Sequence, residues 1–143
     1  MTGPDVPVVG AAAPAYAHPG DAGADLTAAE SVTLKAGGGR ALIGTGLQVA
    51  IPAGFAGFVL PRSGLALKHG ITCLNAPGLI DSGYRGELKV LLVNTDPTTD
   101  YTVAIGDRIA QLVIQEVAQA TFTPVDALDD HARGTGGFGS TGA

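Results

Sequence analysis

Short runs of aliphatic and β-branched residues, cut every few positions by glycine, proline, asparagine or aspartate, fill most of the chain from residue 31 to residue 117. "SVTLKAGGGRALIGTGLQVAIP" reads as a strand, a glycine turn at Gly37 to Gly39, and a second strand; "GFAGFVLP", "GELKVLLVN", "YTVAIG" and "RIAQLVIQEV" follow at short spacing. Such spacing predicts an all-β sandwich or barrel. In "RIAQLVIQEV" both alternating sets are partly apolar, Ala110, Leu112 and Ile114 on one side and Ile109 and Val113 on the other. That is the pattern of a strand buried on two sides or lying at a subunit contact. The one predicted helix is "SGLALKHG", with Ser63 as its N-cap and Gly70 ending it in the left-handed conformation. At about two turns it needs packing to be stable. Residues 1–20 read as an irregular lead-in rich in Pro and Ala.

The 143 residues fit one domain, of a size that buries roughly 70% of the surface its unfolded chain exposes. Only 15% of them are charged, against about 25% in an average soluble protein. An exterior so poor in charge implies burial against other copies of the chain. No stretch approaches a membrane span, and the N-terminus lacks the basic-then-apolar order of a secretory signal. The single cysteine, Cys73 in "GITCLN", reads as a small core residue in a reducing, cytoplasmic setting. His18, His69 and His131 show no metal-ligand spacing. A net charge of −5 argues against stable nucleic-acid binding. Six of the eight cations, Arg62, Lys68, Arg85, Lys89, Arg108 and Arg133, nevertheless lie in or beside the distinctive segments below. They are either gathered around a small anion or simply solvated.

Five segments stand out in order: "DAGADL" (21–26), "PRSGLA" (61–66), "NAPGLIDSGYRGELKV" (75–90), "GDRIAQL" (106–112) and "RGTGGFGSTG" (133–142). In the second, Arg62 offers a forked cation, Ser63 a hydroxyl and Gly64 an unobstructed amide; they make either an anion site or an ordinary capped turn. The third is a hairpin in which Asp81 and Tyr84 serve chemistry or turn and packing. Asp25 is a carboxylate or a strand-end turn residue. Asp107 and Arg108 read best as a structural ion pair. Lys89 is a ligand or a solvated strand lysine. The last segment contains G-x-G-x-x-G at Gly134, Gly136 and Gly139, but a dinucleotide loop needs a strand before it and a helix after it. Taken alone, this segment reads as a flexible chain end.

Together these segments resemble, in order and spacing, the five motifs of the homotrimeric deoxyuridine triphosphatases (dUTPases). The resemblance runs from about residue 21 to the end. It implies a jelly-roll-like antiparallel β fold over residues 1–132, assembled as a homotrimer, with residues 133–143 as a flexible glycine-rich lid. It implies hydrolysis of dUTP to dUMP and pyrophosphate with Mg²⁺, by attack of water at the α-phosphorus. In the cell this limits uracil incorporation into DNA and supplies dUMP for thymidylate synthesis. By resemblance Arg62, Ser63, Gly64 and Gln111 bind the triphosphate. Main-chain groups of Gly78, Leu79, Ile80 and Asp81, with the Asn75 side chain, read the uracil edge. Some relatives have threonine at the position of Leu79, but the contact there is through the main chain. Tyr84 lies against the deoxyribose, Lys89 contacts substrate, Asp81 is the catalytic carboxylate, and Asp25 organises the metal's water shell. Arg133, Phe138, Gly139 and Ser140 close over the substrate from the tail. The resemblance also divides each site between chains, with motifs one, two and four from one subunit, the third from a neighbour and the tail from another.

Two other readings have recognisable marks. A deoxycytidine triphosphate deaminase on the same fold needs an acid–base group at the pyrimidine ring, and Glu87, beyond the hairpin, reads more simply as a strand-surface residue. A non-catalytic nucleotide sensor would lack Asp81 or the tail, and both are present.

Overall fold

The computed structural model describes residues 2–142; Met1 and Ala143, the outer ends of the expected domain and tail, lie outside the described residues. The elements run β1 (Val8–Val9), β2 (Ala15–Tyr16), β3 (Ala24–Thr27), β4 (Val32–Leu34), β5 (Arg40–Val49), β6 (Phe55–Leu60), α1 (Ser63–His69), β7 (Ile71–Cys73), β8 (Gly78–Ile80), β9 (Glu87–Asn94), β10 (Tyr101–Val103) and β11 (Arg108–Glu116). They form three sheets, ordered β1-β5-β9-β7, β10-β4 and β2-β3-β11-β6-β8. Every pairing is antiparallel. The fold is all-β and jelly-roll-like, with one short helix, as the strand spacing and the resemblance together imply. Among the described residues no helix is long and apolar enough to cross a membrane.

Inward faces of the sheets supply the core. β9 alternates buried Leu88, Val90 and Leu92 with outward Lys89, and Leu26, Ile43 and Ile109 meet them from other strands. Burying one such side chain stabilises the fold by about 1.5–3 kcal/mol. Asn94 is fully buried yet satisfied. Its Nδ2 donates to Leu34 O (3.0 Å) and Thr99 O (2.9 Å), and its Oδ1 accepts from Asp96 N (3.0 Å). Cys73 sits in this core at 4% exposure, and burial pushes its thiol up to about 11.

Four local details depart from the sequence pattern. The strands flanking the glycine turn do not pair with each other; β4 pairs with β10, and β5 lies between β1 and β9. Gly37 (φ 76°) and Gly38 (φ 104°) turn their N–H groups to Asp96 O (2.7 Å) and Asn94 O (2.8 Å), so the turn is fastened to the end of β9 rather than closing a hairpin. The lead-in forms two two-residue strands, Val8 opposite Val49 and Ala15 opposite Asp25. In α1 the cap position belongs to Arg62, in extended conformation (φ −94°, ψ 129°), with no side-chain capping bond. Ser63 is therefore the first helical residue, and its hydroxyl is not occupied in capping. Gly70 does end the helix left-handed (φ 65°, ψ 24°). Finally, a register shift between Arg108 and Ala110 lets both Ile109 and Ala110 enter the core.

Candidate active site

Strand register assembles the first cavity. Gln111 on β11 lies opposite Asp25 on β3 and opposite Leu60 on β6, and Arg62 follows Leu60 by two residues. Around them is a cavity of about 190 Å³ lined by Asp25, Arg62, Ser63, Gly64, Arg108 and Gln111, with Ala17, Asp21 and Gly23. Asp25 Oδ1 is 3.6 Å from Arg62 Nε and its Oδ2 is 3.6 Å from Arg108 Nη1. Arg62 Nη1 donates to Arg108 O at 3.2 Å, and Gln111 Nε2 donates to Pro61 O at 3.0 Å. Gly23 leaves the space that the Gln111 amide fills; a Cβ there would collide with its Oε1. One carboxylate thus steadies two guanidiniums beside a free hydroxyl, an arrangement suited to a polyanion.

The third segment forms a second cavity of about 270 Å³, lined by Leu42, Leu79, Ile80, Asp81, Tyr84, Glu87 and Lys89. Its turn is tightly braced. Arg85 Nη1 donates to Ser82 O (2.7 Å) and Tyr84 O (3.0 Å), Gln48 Nε2 donates to Arg85 O (2.9 Å), and Tyr84 Oη donates to Glu87 O (2.8 Å). Arg85 therefore serves the loop rather than an anion. Gly78 is buried against Val59 with the exposed Asn75 amide beside it, and Leu79 points outward at 59% exposure. Glu87 Oε2 accepts from Gly46 N at 3.1 Å across the bulge in β5, a structural task rather than that of a deaminase acid.

The two cavities lie at opposite ends of one strand. β8 runs antiparallel to β6, with Gly78 opposite Val59 and Ile80 opposite Gly57, so Asp81 follows toward the Ala56 end. Arg62 lies beyond the other end, past Leu60. From Gly57 to Arg62 the chain climbs roughly 16 Å at about 3.3 Å per residue. Within one chain the hairpin carboxylate and the arginine cavity stay apart.

Residues 10–142 match the dUTPase family model. The chain belongs to the dUTPase family. It is an enzyme, a dUTP nucleotidohydrolase. A deoxyuridine 5'-triphosphate nucleotidohydrolase of Leifsonia xyli subsp. xyli is 57% identical over 138 residues, which are 96% of this chain and 90% of the relative. One from Thermobifida fusca is 60% identical over 139 residues, 97% of this chain and 74% of the relative. Among solved structures, the dUTPase of Staphylococcus bacteriophage 80alpha with dUPNHPP is similar at TM-score 0.88 and 29% identity, covering 97% of this chain and 99% of that one. A mutant dUTPase of phage phi11 of S. aureus, described for its coordination of a structural Mg(II) ion, is similar at TM-score 0.79 and 26% identity, covering 89% and 100%.

In this dUTPase the described part of the tail, as far as Gly142, lines neither cavity. Among the described residues its hydrogen bonds reach no further back than His131, which accepts from Arg133 N at Nδ1 (3.1 Å); the others include Arg133 Nε to Gly136 O (2.8 Å) and Ser140 N to Gly137 O (3.2 Å). Phe138 is fully exposed, at φ 51°, and Gly139 follows at φ 88°. Arg108 corrects the expected ion pair. It faces Asp25, while Asp107 Oδ2 accepts from Ala104 N at 2.9 Å. Arg108 and Gln111 are an odd number of residues apart, so a regular strand would send them to opposite faces. The register shift between Arg108 and Ala110 lets both line one cavity.

Proposed function

We propose that this dUTPase works as a homotrimer, hydrolysing dUTP to dUMP and pyrophosphate at sites shared between subunits. One subunit offers Arg62, Ser63, Gly64 and Gln111 to the triphosphate. A neighbour offers main-chain groups of Gly78 to Asp81 and the Asn75 amide to uracil, Tyr84 to the deoxyribose, and Lys89 beside them. A third closes its tail with Arg133, Phe138, Gly139 and Ser140. The separation of the two cavities along β6 carries this reading. At about 190 and about 270 Å³, each is also smaller than the roughly 300–1,000 Å³ usual for a ligand site.

Arg62 and Ser63 hold phosphate oxygens, and Arg62 is already fixed by Asp25 and Arg108 O before substrate arrives. Asp81 accepts the proton of the water that attacks the α-phosphorus in line with the departing pyrophosphate. Among the described residues no group of three or more His, Cys, Asp or Glu could hold a metal. Asp25, set between two guanidiniums, is the carboxylate that would meet the water shell of a Mg²⁺ ion carried by substrate phosphates. When bound, that ion neutralises charge on the phosphate oxygens. The reaction serves to limit uracil in DNA and to supply dUMP for thymidylate synthesis in the cytoplasm, without stable nucleic-acid or membrane partners.

Pyrophosphate release from dUTP, dCTP, dTTP and UTP tests the proposal. Main-chain pairing with uracil predicts rejection of dCTP by roughly 10⁴-fold. Comparable rates on dCTP or UTP would contradict it.

A further inference from the structure

Tyr84 folds back over its own loop. Its hydroxyl donates to Glu87 O at 2.8 Å, so the ring spans residues 85 and 86. A Cβ built on Gly86 would lie 2.5 Å from Tyr84 Oη, 2.7 Å from its Cζ and 3.0 Å from its Cε2. All three nearest atoms belong to this one side chain, the two nearest closer than a side-chain carbon comes. Gly86 is not among the glycines held at positive φ. Left-handed backbone strain is therefore not what excludes a side chain here; the phenol is. Tyr84 itself is 43% exposed and lines the cavity shared with Asp81 and Lys89.

We propose that Gly86 is a specificity-determining positioning residue, whose missing side chain is the seat that sets the depth of the Tyr84 ring in the sugar pocket. This rests on the reading above in which Tyr84 meets the deoxyribose and leaves no room for a 2′-hydroxyl. The loop backbone is held independently by Arg85 and Gln48. Adding a methyl group at residue 86 thus moves the ring rather than the loop. Displaced from that seat, the ring no longer meets the deoxyribose at the same distance, and the contact that favours dUTP over UTP is lost.

The test is a double-mutant cycle on the intact protein, reading kcat/KM for dUTP over kcat/KM for UTP. Gly86→Ala should lower this ratio by about tenfold or more, the scale on which a pocket senses one small group. Tyr84→Ala should lower it at least as far. In the Tyr84→Ala background, Gly86→Ala should change nothing further, because the methyl group then meets no ring. A wild-type ratio for Gly86→Ala, with Tyr84→Ala relaxed, overturns the role of Gly86 alone. An unchanged ratio for Tyr84→Ala overturns the sugar-site reading beneath it. Should Gly86→Ala fail to fold, the double variant decides. Recovery of folding supports the ring contact; continued failure means the methyl group meets something else and overturns the proposal.

Discussion

Arg62 keeps its Nε 3.6 Å from Oδ1 of Asp25, with side chains only 30% and 20% exposed. A partly solvated pair of this kind adds little to stability, about 0–1 kcal/mol. Its consequence is orientation. The carboxylate and the Arg108 carbonyl hold Nε and Nη1 of a guanidinium that lines the cavity, which fixes its plane and leaves other N–H groups for a ligand.

Arg62→Lys therefore separates charge from geometry. It keeps the cation but loses the planar fork. A charge-assisted hydrogen bond of about 1.5–3 kcal/mol corresponds to a roughly 10- to 100-fold loss in kcat/KM for dUTP. Thermal unfolding should shift little. Steady-state kinetics with a melting curve checks both, and full activity in the lysine variant would remove Arg62 from the phosphate site.

Asp81→Asn keeps the shape of the hairpin and removes the proton acceptor. Turnover should fall by about 10²–10⁴-fold. Calorimetric titration with a non-hydrolysable dUTP analogue should still give near-normal affinity. Near-normal turnover would transfer the role to another carboxylate, with Asp25 the next to test.

The tail should be dispensable for folding and required for rate. Ordering each residue costs on the order of 1 kcal/mol, most for glycine. Arg133 on a phosphate returns about 1.5–3 kcal/mol, and Phe138 stacked on a base about 1–3 kcal/mol. Glycine amides turned toward phosphate oxygens add a few charge-assisted bonds of similar size, which brings the two sides close, so closure waits for the triphosphate. Deleting residues 133–143 should leave a folded trimer that turns over dUTP far more slowly. Protease protection of the tail should appear with the triphosphate analogue and be weak with dUMP. Normal turnover by the truncated chain would make the tail an idle end.

Cys73 gives a pH prediction. Burial raises its folded thiol from 9.0 to about 11, so the folded state favours the protonated form. Its contribution to stability is complete below the unfolded value and is lost as pH rises through the folded one. Denaturant midpoints should hold up to about pH 9 and then fall toward pH 11, with the native thiol slow to alkylate at pH 8 and fast once unfolded. Rapid alkylation of the native protein would show that the core around β7 opens readily.

Legibility in the sequence followed the range of the forces involved. β6, β9 and β11 were readable because side-chain alternation is local, and the five segments were readable by their order. Partner choice was not. Nothing in "SVTLKAGGGRALIG" tells that its glycine turn binds Asn94 and Asp96 instead of closing a hairpin. The two-residue strands β1 and β2 are too short to carry a period. Arg108 departs from its sequence pattern because a register shift reverses the face of a strand residue, and Ser63 because the chain stays extended one residue longer, through Arg62. The seat for Tyr84 at Gly86 depends on a ring folding back two residues, which no periodicity records.

Division of the site between chains is the central claim, and subunit mixing tests it most directly. Asp81→Asn chains and Arg62→Ala chains, each almost inactive alone, are unfolded, combined in equal amounts and refolded together. If Asp81 and Arg62 act from different subunits of a cyclic trimer, random assembly makes roughly a quarter of the sites whole, and about that share of wild-type activity should return. If each site lies within one chain, every chain carries its own defect. The mixture would then stay at the level of the two variants measured separately, and the account would be wrong.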